Sequence, residues 1–250
     1  MIYGLYQSAA GMMVNEYRTN VLANNIANAE TPGFKRDVPS FAERLRASEA
    51  GRRDGATNEL LEGLSGGLWL SRTDTDFSEA SFIRTDNPLD VAIAGAGFLR
   101  VGVNGQEYLT RDGRMVMNDE GWLVSSADGA AMLGEAGQPI RLNPRGEQPT
   151  IDQDGTIRQG NTTVGRLGLA NVEDYQALRK IGGGRFDAST TRLTEPLGQL
   201  QPGFYEGPGV EAVKELTSMI EASRAYQLNA QMVTLQDSSA GRLINVVANA

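Results

Sequence analysis

Side chains that could do acid–base chemistry are few in this sequence, and most of them are carboxylates. Paired carboxylates can act as general acid and base in hydrolysis, and the middle of the chain offers five candidates: Asp86, Asp90, Asp112, Asp119 and Glu120. The chain has no histidine and no cysteine, so it lacks the commonest general base and any thiol nucleophile. Aspartate is also common in turns for purely local reasons. We therefore predict that the protein is not an enzyme, and a carboxylate hydrolase is the weaker alternative.

The segment DQDGT, which starts at Asp152, begins like a calcium loop but does not continue as one. An EF-hand loop needs glycine at its sixth position and an acidic residue at its twelfth. Here the glycine is fourth and the twelfth position is Thr163, so a hairpin turn at Asp154-Gly155 fits better. The GAGF segment at 95–98 lacks the third glycine of a phosphate-binding loop, and strand-like residues follow it. The sequence predicts no metal site and no cofactor.

The charge balance and the apolar pattern exclude several classes of partner. A net charge of -8 opposes binding to nucleic acid phosphates and to anionic membrane surfaces. No stretch approaches the roughly 18 uncharged apolar residues of a membrane span, so we predict no membrane insertion. The N-terminus lacks early basic residues, and Asn15, Glu16 and Arg18 interrupt its apolar residues. It therefore does not resemble a cleaved Sec signal.

The C-terminal segment carries the strongest periodic signal, with positions separated alternately by four and three residues. This stripe consists of Ala212, Leu216, Met219, Ser223, Tyr226, Ala230, Val233, Asp237, Ala240, Ile244 and Val247. The spacing predicts one long helix over 210–250, starting just after Pro208 and Gly209. The stripe could pack on the body of the protein, but its many small residues favour a coiled-coil partner.

The partner is predicted at the other end of the chain. From Tyr3 to about Asn28 the sequence is compatible with a helix that has one broad apolar face. That face consists of Leu5, Ala9, Met12, Met13, Tyr17, Val21, Leu22 and Ile26. We predict that the N- and C-terminal helices pair as a coiled coil.

The middle of the chain has the pattern of a β domain. Asn104-Gly105, Asp112-Gly113, Glu120-Gly121 and Asp128-Gly129 follow one another at a constant spacing of eight residues, with short apolar runs between them. Such pairs favour tight hairpins, so we predict an antiparallel meander or small barrel. The predicted fold class is α+β, with a mainly antiparallel β domain between the terminal helices.

The predicted organisation has four parts. They are an N-terminal helix and turn over 1–36, an extended or loop connection over 37–85, a mainly β domain over 86–209, and a C-terminal helix over 210–250. Within the connection, residues 46–67 are rich in glycine and charge and are predicted to form a loop.

Five segments, taken in order, resemble a known family. They are ANNIANAETPGFKR from Ala23, NPLDVAIAGAGFLRV from Asn87, YLTRDGRMVMNDEGWLV from Tyr108, VGRLGLANVEDYQALRKIGGGRF from Val164, and MIEASRAYQLNAQMV from Met219. Each match is modest alone, but together they resemble the bacterial flagellar basal-body rod and hook proteins. The length is typical of the rod proteins, and TPGFKR resembles their proximal type more than their distal type. The segment FYEGPGV departs from the family pattern, since Pro208 and Gly209 stand where a polar pair is usual.

The resemblance implies a structural subunit of the flagellar basal-body rod, which polymerises through its terminal helices in the periplasm. The implied partners are other rod proteins, copies of itself and the flagellar type III export apparatus, and export would occur without a cleaved signal peptide. A soluble binding module outside the flagellum is the alternative.

The residues expected to serve subunit assembly lie at both ends of the chain. They are Asn24, Asn25, Asn28, Thr31, Pro32, Gly33, Phe34, Leu216, Met219, Tyr226, Ala230 and Val233. Asn24 and Asn25 are expected to hydrogen-bond between subunits. For the others near the first helix a local explanation is equally good, because Asn28 can end the helix and Pro32-Gly33 suits a type II turn.

Overall fold

The chain folds into two compact units, which the computed structural model describes over residues 2–43 and 67–248. The helical unit consists of the described parts of 1–27, 37–74 and 211–250, and the β unit consists of 28–36 and 75–210. Neither of the two long helices within these described residues is apolar enough to cross a lipid bilayer. The α+β class, with helices at both ends and strands between them, is confirmed.

The helical unit contains α1 (Ile2–Ala27) and α2 (Ala212–Ala248). Helix α1 ends at a turn in which the carbonyl of Asn28 accepts a hydrogen bond from the N–H of Thr31 at 3.0 Å. Helix α2 contains no proline, so its 37 residues continue unbroken for about 55 Å at 1.5 Å per residue. Both terminal helices were predicted from local sequence.

The face of α2 that is withdrawn from solvent differs from the predicted stripe. Its buried and half-buried positions include Glu215, Met219, Ala222, Tyr226, Asn229, Val233, Gln236 and Ala240, again in steps of four and three. The predicted stripe is displaced by one residue at every second position, so Leu216 is 46% exposed whereas Glu215 is 5% exposed. A spacing of 3.5 residues allows two neighbouring stripes, and the more polar of the two is covered.

A two-stranded ribbon completes the helical unit. Its strands are β1 (Asp37–Glu43) and β2 (Leu68–Thr75). The hydroxyl of Tyr17 on α1 lies 2.7 Å from that of Thr73 on β2. These strands lie in the segment for which the sequence predicts an extended or loop connection. Their pairing depends on residues far apart in the chain, which a local pattern does not reveal. The loop predicted over 46–67 falls almost wholly outside the described residues.

The β unit contains sixteen strands within the described residues, and every described pairing between them is antiparallel. The strands are β3 (Phe82–Arg84), β4 (Val91–Ala94), β5 (Phe98–Val103), β6 (Gln106–Thr110), β7 (Met115–Met117), β8 (Leu123–Ser125), β9 (Ala131–Met132), β10 (Pro149–Ile151), β11 (Thr156–Gln159), β12 (Thr162–Arg166), β13 (Leu169–Val172), β14 (Arg179–Gly182), β15 (Arg185–Asp187), β16 (Leu193–Thr194), β17 (Gln199–Pro202) and β18 (Phe204–Glu206). The largest sheet has the order β14-β15-β6-β5-β9-β8-β7, with β13 also pairing to β5. A short 3-10 helix, Tyr175–Ala177, precedes β14.

Three of the four predicted glycine turns reverse the chain as expected, but Asp112-Gly113 does not. Strands β6 and β7, on either side of it, are not neighbours in the sheet. Gly113 instead lies directly against β4, where its carbonyl accepts the N–H of Val91 at 3.0 Å. A Cβ atom on Gly113 would lie 1.7 Å from the carbonyl oxygen of Val91. Glycine is therefore required here for close approach of two backbones and not for a hairpin.

Two hydrophobic clusters form the core of the β unit. The larger cluster includes Leu99, Met115 and Leu123, whose side chains are fully buried. The smaller cluster surrounds Phe98 and Phe186, whose ring centroids are 5.6 Å apart. The strands are thus held by side chains that alternate into a shared core, which is the usual basis of an antiparallel β domain.

Candidate assembly site

Asn25 connects three elements of the helical unit. Its Nδ2 donates to the carbonyl oxygen of Asp37 on β1 at 2.9 Å and to Oε2 of Glu215 on α2 at 3.2 Å. Its Oδ1 accepts the N–H of Asp37 at 2.9 Å. The side chain is 1% exposed, so these bonds are made away from water. Asn25 therefore uses its amide within the protomer.

Helices α1 and α2 make two further contacts, which are separated from each other and from the Asn25–Glu215 contact by multiples of seven residues. The side chain of Gln236 lies over Gly4, and the side chain of Asn229 lies over Gly11. The third contact is Asn25 with Glu215. Successive contacts are separated by seven and then fourteen residues on both helices, in opposite directions along the chain. Helices α1 and α2 therefore pack antiparallel in one register.

On the α1 side of this interface, glycine occupies the two positions that lie against Gln236 and Asn229. A Cβ on Gly4 would lie 2.7 Å from Nε2 of Gln236, and a Cβ on Gly11 would lie 2.9 Å from Oδ1 of Asn229. Glycine costs helix stability, so its presence at both positions indicates that close approach is needed. Ala222, which is 1% exposed, continues the same small-residue character on α2.

Large apolar side chains are exposed on the rest of α2. They are Val213, Leu216, Ile220, Leu228, Met232, Leu235, Leu243 and Ile244, with exposed fractions from 46% to 80%. Helix α1 adds Leu5, Tyr6 and Met13. We call these eleven residues the exposed apolar surface. Isolated apolar residues are normal on protein surfaces, whereas so many along two paired helices indicate an interaction surface.

The Thr31-Pro32-Gly33-Phe34 segment belongs to the β unit, not to the helices. The N–H of Phe34 donates to the carbonyl of Thr31 at 3.2 Å, and Gly33 has a φ of +66°, so the predicted type II turn is confirmed. Pro32, Gly33 and Phe34 are all buried. The ring of Phe34 lies 4.5 Å from the ammonium of Lys180, which covers it in a cation–π contact.

Three charged side chains meet in the interior of the β unit. Nζ of Lys35 lies 2.6 Å from Oε1 of Glu206, and Nη1 of Arg111 lies 3.2 Å from Oε2 of the same carboxylate. Their exposed fractions are 1%, 4% and 0% for Lys35, Arg111 and Glu206. We call these three residues the buried charge cluster.

The electrostatics of the buried charge cluster are dominated by the removal of water. Burial lowers the pKa of Lys35 below its ordinary value of 10.5, and the nearby positive charge of Arg111 lowers it further. The carboxylate of Glu206 acts in the opposite direction but does not fully compensate. The sequence did not predict this cluster, because Lys35, Arg111 and Glu206 are far apart in the chain and charged residues are usually exposed.

The carboxylates proposed as hydrolytic candidates have structural partners or lie in solvent. Asp90 accepts the side-chain amide of Asn87 at 2.7 Å, and Asp112 pairs with the guanidinium of Arg114 at 2.9 Å. The other three candidates are exposed: Asp86, Asp119 and Glu120. No group of three or more acidic residues in the described parts of the chain is arranged to hold a metal ion.

The DQDGT segment is a hairpin turn, as predicted. The carbonyl of Asp152 accepts the N–H of Gly155 at 3.0 Å, and β10 pairs with β11 on either side. Hydrogen bonds from the N–H and the hydroxyl of Thr156 lower the pKa of Asp154 below its ordinary value. The side chain of Asp152 pairs with the guanidinium of Arg158 at 2.7 Å, so both aspartates have partners within the hairpin.

The predicted assembly residues do not form one group. Asn24, Asn25, Leu216, Met219, Tyr226, Ala230 and Val233 lie in the helical unit, whereas Asn28, Thr31, Pro32, Gly33 and Phe34 lie in the β unit. Asn24 and Leu216 are exposed, and the other four on α2 are half-buried. Asn28 and Thr31 are half-buried and bond to each other through their side chains at 3.3 Å.

Two long terminal helices with a large exposed apolar surface, in a chain that also contains a β unit, are typical of proteins that assemble with other chains. Three sequence models of flagellar families match the chain in order. They describe the flagella basal body rod protein over residues 5–35, the D1 domain of the flagellar hook protein FlgE/F/G over 92–159, and the C-terminal part of the flagellar basal body rod FlgEFG protein over 201–246.

Curated relatives agree with this assignment over nearly the whole chain. The flagellar basal-body rod protein FlgF of Caulobacter vibrioides is 34% identical, covering 92% of this chain and 91% of the relative. FlgF of Mesorhizobium japonicum is 30% identical over 98% of both. The basal-body rod protein FlgG of Bacillus subtilis is 29% identical, over 98% of this chain and 99% of its own.

The chain belongs to the flagellar basal-body rod protein family, as a structural subunit of the rod. Within the family it is similar to the FlgF type somewhat more than to the FlgG type, as the TPGFKR segment predicted.

Proposed function

We propose that this rod subunit polymerises through its terminal helices, and that α1 and α2 of one protomer pair as an antiparallel coiled coil. The repeated contacts at Gly4, Gly11 and Asn25 support this pairing, since they recur at multiples of the seven-residue heptad. Burial of small and polar groups contributes little hydrophobic stabilisation. The pairing thus fixes the register of the helices and leaves their larger apolar side chains outside.

The observation that carries the proposal is the exposed apolar surface. Burying one large apolar side chain (Leu, Ile, Val or Met) contributes about 1.5–3 kcal/mol, and eight such residues on α2 are 46% to 80% exposed. Copies of this chain and other rod proteins would cover them in the rod. Polymerisation would therefore supply the hydrophobic stabilisation that the small residues between α1 and α2 do not provide.

The predicted assembly residues take different parts in this proposal. Leu216 and Asn24, which are exposed, would contact neighbouring subunits directly. The half-buried residues of α2 would contribute to both the helix pair and the neighbour: Met219, Tyr226, Ala230 and Val233. Asn25 and the 28–34 turn would act indirectly, by holding the two units of the protomer in their folded form.

We further propose that the protein has no catalytic activity and resides in the periplasmic rod. The absence of histidine and cysteine, together with the structural use of Asp90 and Asp112, supports a non-catalytic role. Export by the flagellar type III apparatus, without a cleaved signal peptide, is proposed from the family. Detection of a shortened N-terminus on assembled protein would contradict this route.

A single substitution, Leu216→Asp, tests polymerisation. In an assembled subunit it would place an unpaired charge in a buried contact, at a cost of several kcal/mol. In the monomer Leu216 is already 46% exposed, so the fold should persist. We expect electron microscopy of mixtures with other rod subunits to show no incorporation of Leu216→Asp, and cells carrying it to be non-motile.

The matched control is Gln106→Asp, which adds the same charge at an exposed position at the start of β6. It should be incorporated normally. Normal incorporation of Leu216→Asp would show that the exposed apolar surface is not an assembly surface. Melting of the β unit in Leu216→Asp would show instead that this side chain belongs to the core of the monomer.

A further inference from the structure

The chain passes between its two compact units at four places, after residues 27, 36, 74 and 210. Three short stretches of the β unit adjoin these points, and we call them the crossing segments: 28–36, 75–80 and 204–210. They are far apart in the sequence. What holds them together is therefore a question of tertiary structure.

Glu206 lies in the crossing segment 204–210 and forms hydrogen bonds with the other two, 28–36 and 75–80. Its Oε1 accepts Nζ of Lys35 at 2.6 Å and the N–H of Ala80 at 3.0 Å. Its carbonyl accepts the N–H of Gly33 at 2.8 Å. One residue of 204–210 is thus bonded to both 28–36 and 75–80.

Direct bonds between the crossing segments reinforce this connection. Lys35 donates a second bond from Nζ to the carbonyl of Ser78 at 2.7 Å. The carbonyl of Phe34 accepts the N–H of Gly209 at 2.8 Å, and the N–H of Asp76 donates to the carbonyl of Arg36 at 2.9 Å. All of these bonds lie within the β unit.

The buried charge cluster has two positive charges and one negative charge, so Glu206 is the residue on which both ion pairs depend. Two cations, Lys35 and Arg111, share one carboxylate in their described ion pairs. Arg111 also donates to the carbonyls of Ile93 and Gly95 at 3.2 and 2.8 Å, so it is anchored on β4 and the turn after it. Removing the Glu206 charge would leave two buried cations uncompensated, whereas removing Lys35 would leave an ion pair intact.

We propose that Glu206 is a positioning residue that fastens the three crossing segments to one place in the β unit. Because of these bonds, the chain enters and leaves the β unit at fixed positions each time it passes to or from the helical unit. A rod subunit needs this because its polymer repeats one protomer geometry. The inference rests on the structure of the β unit and on membership of the rod family, not on polymerisation through α1 and α2.

The test uses the soluble full-length chain, so its failure is distinguishable from failure of polymerisation. The chain has no cysteine, so pairs of introduced cysteines can be spin-labelled cleanly. Glu30 lies in segment 28–36 and Ser81 directly follows segment 75–80, and both sites are exposed. The pair Glu30→Cys with Ser81→Cys therefore reports the separation of these two crossing segments. Gln106→Cys with Asp119→Cys, also exposed, reports the large sheet as a reference.

We expect Glu206→Gln to broaden the distance distribution of the 30–81 pair and to leave the 106–119 pair narrow. Hydrogen exchange of the crossing segments should accelerate by at least about tenfold, because their opening no longer requires separating charges. Lys35→Met should have a clearly smaller effect on both readouts. Glu107→Gln, which breaks an ion pair with Arg100 elsewhere in the β unit, should leave both unchanged.

Three results would overturn the proposal. The first is an unchanged 30–81 distribution in Glu206→Gln, and the second is an equal effect of Lys35→Met. The third is cooperative melting of both label pairs in the double variant Lys35→Met with Glu206→Gln, which would make Glu206 an ordinary core residue. If Glu206→Gln does not fold, the double variant Lys35→Met with Glu206→Gln buries one cation fewer. It should fold and show the same selective broadening, and a narrow distribution in it would equally refute the proposal.

Discussion

Nδ2 of Asn25 lies 3.2 Å from Oε2 of Glu215, although 190 positions separate the two residues in the chain. Both side chains are at least nine-tenths buried, and the same amide holds β1 through Asp37. The buried carboxylate of Glu215 on α2 is therefore stabilised by a hydrogen bond from the amide of Asn25 on α1. This arrangement makes Asn25 a structural requirement of the helical unit, in addition to any role in assembly.

Asn25→Asp should destabilise the helical unit by about 2–4 kcal/mol, because it removes a donor and places a second carboxylate beside Glu215. Urea unfolding followed by far-UV circular dichroism measures the change. Asn24→Asp is the matched control, because Asn24 is next to Asn25 in the chain and its side chain is exposed. This substitution should change the free energy of unfolding by less than about 0.5 kcal/mol. Equal effects of the two substitutions would contradict the buried contact.

The register of α1 and α2 can be tested by a disulfide. Gly11→Cys with Asn229→Cys should cross-link within one chain under mild oxidation, because the two positions are in contact. Gly11→Cys with Gln236→Cys shifts one partner by seven residues, or about 10 Å along the helix, and should not cross-link. Mass spectrometry of the diluted monomer distinguishes the outcomes. Cross-linking of the shifted pair would disprove the single antiparallel register.

Gly33→Ala should cost about 3 kcal/mol or more, for two separate reasons. Its φ is +66°, and an added Cβ would lie 2.5 Å from backbone atoms of Arg111 and Asp112. Gly129→Ala isolates the first reason, since its φ is +72° but no atom lies within 4 Å of the added Cβ. That control should lose only about 1 kcal/mol. Thermal unfolding of both variants should show the difference, and similar losses would remove the argument for close packing at the turn.

Stability should rise with pH in the alkaline range because of Lys35. Its pKa in the folded chain is below the ordinary value of 10.5, so between these two pKa values the unfolded chain binds more protons than the folded one. The cost of burying the charged ammonium is fully present below the folded pKa and disappears as the pH rises toward 10.5.

Denaturant unfolding from about pH 8 to pH 10.5 should therefore show a rise in stability of the parent chain relative to Lys35→Met. Titration of other groups cancels in this difference. Lys214→Met, which removes an exposed lysine, should run parallel to the parent. A difference that is flat or falls with pH would mean that the pKa of Lys35 is not lowered.

Local sequence determined the two long helices, the turn after α1 and several hairpins of this protein. The 3.5-residue spacing and the absence of proline gave α2, and Asn28, Pro32 and Gly33 gave the end of α1 and its type II turn. The hairpins at Asn104-Gly105 and Asp154-Gly155 followed from residues that tolerate a tight reversal. These features depend on the backbone preferences of a few neighbouring residues, so the sequence is sufficient to predict them.

Tertiary structure alone decided which surfaces meet. The pattern of α2 allowed two adjacent stripes, and only the contacts with Gly4, Gly11 and Asn25 determine that the one containing Glu215 is covered. Lys35 and Glu206 read as ordinary surface charges, yet they are buried together across 171 positions. Such long-range contacts depend on packing and on the removal of water from groups that are distant in the chain, and no local propensity records them.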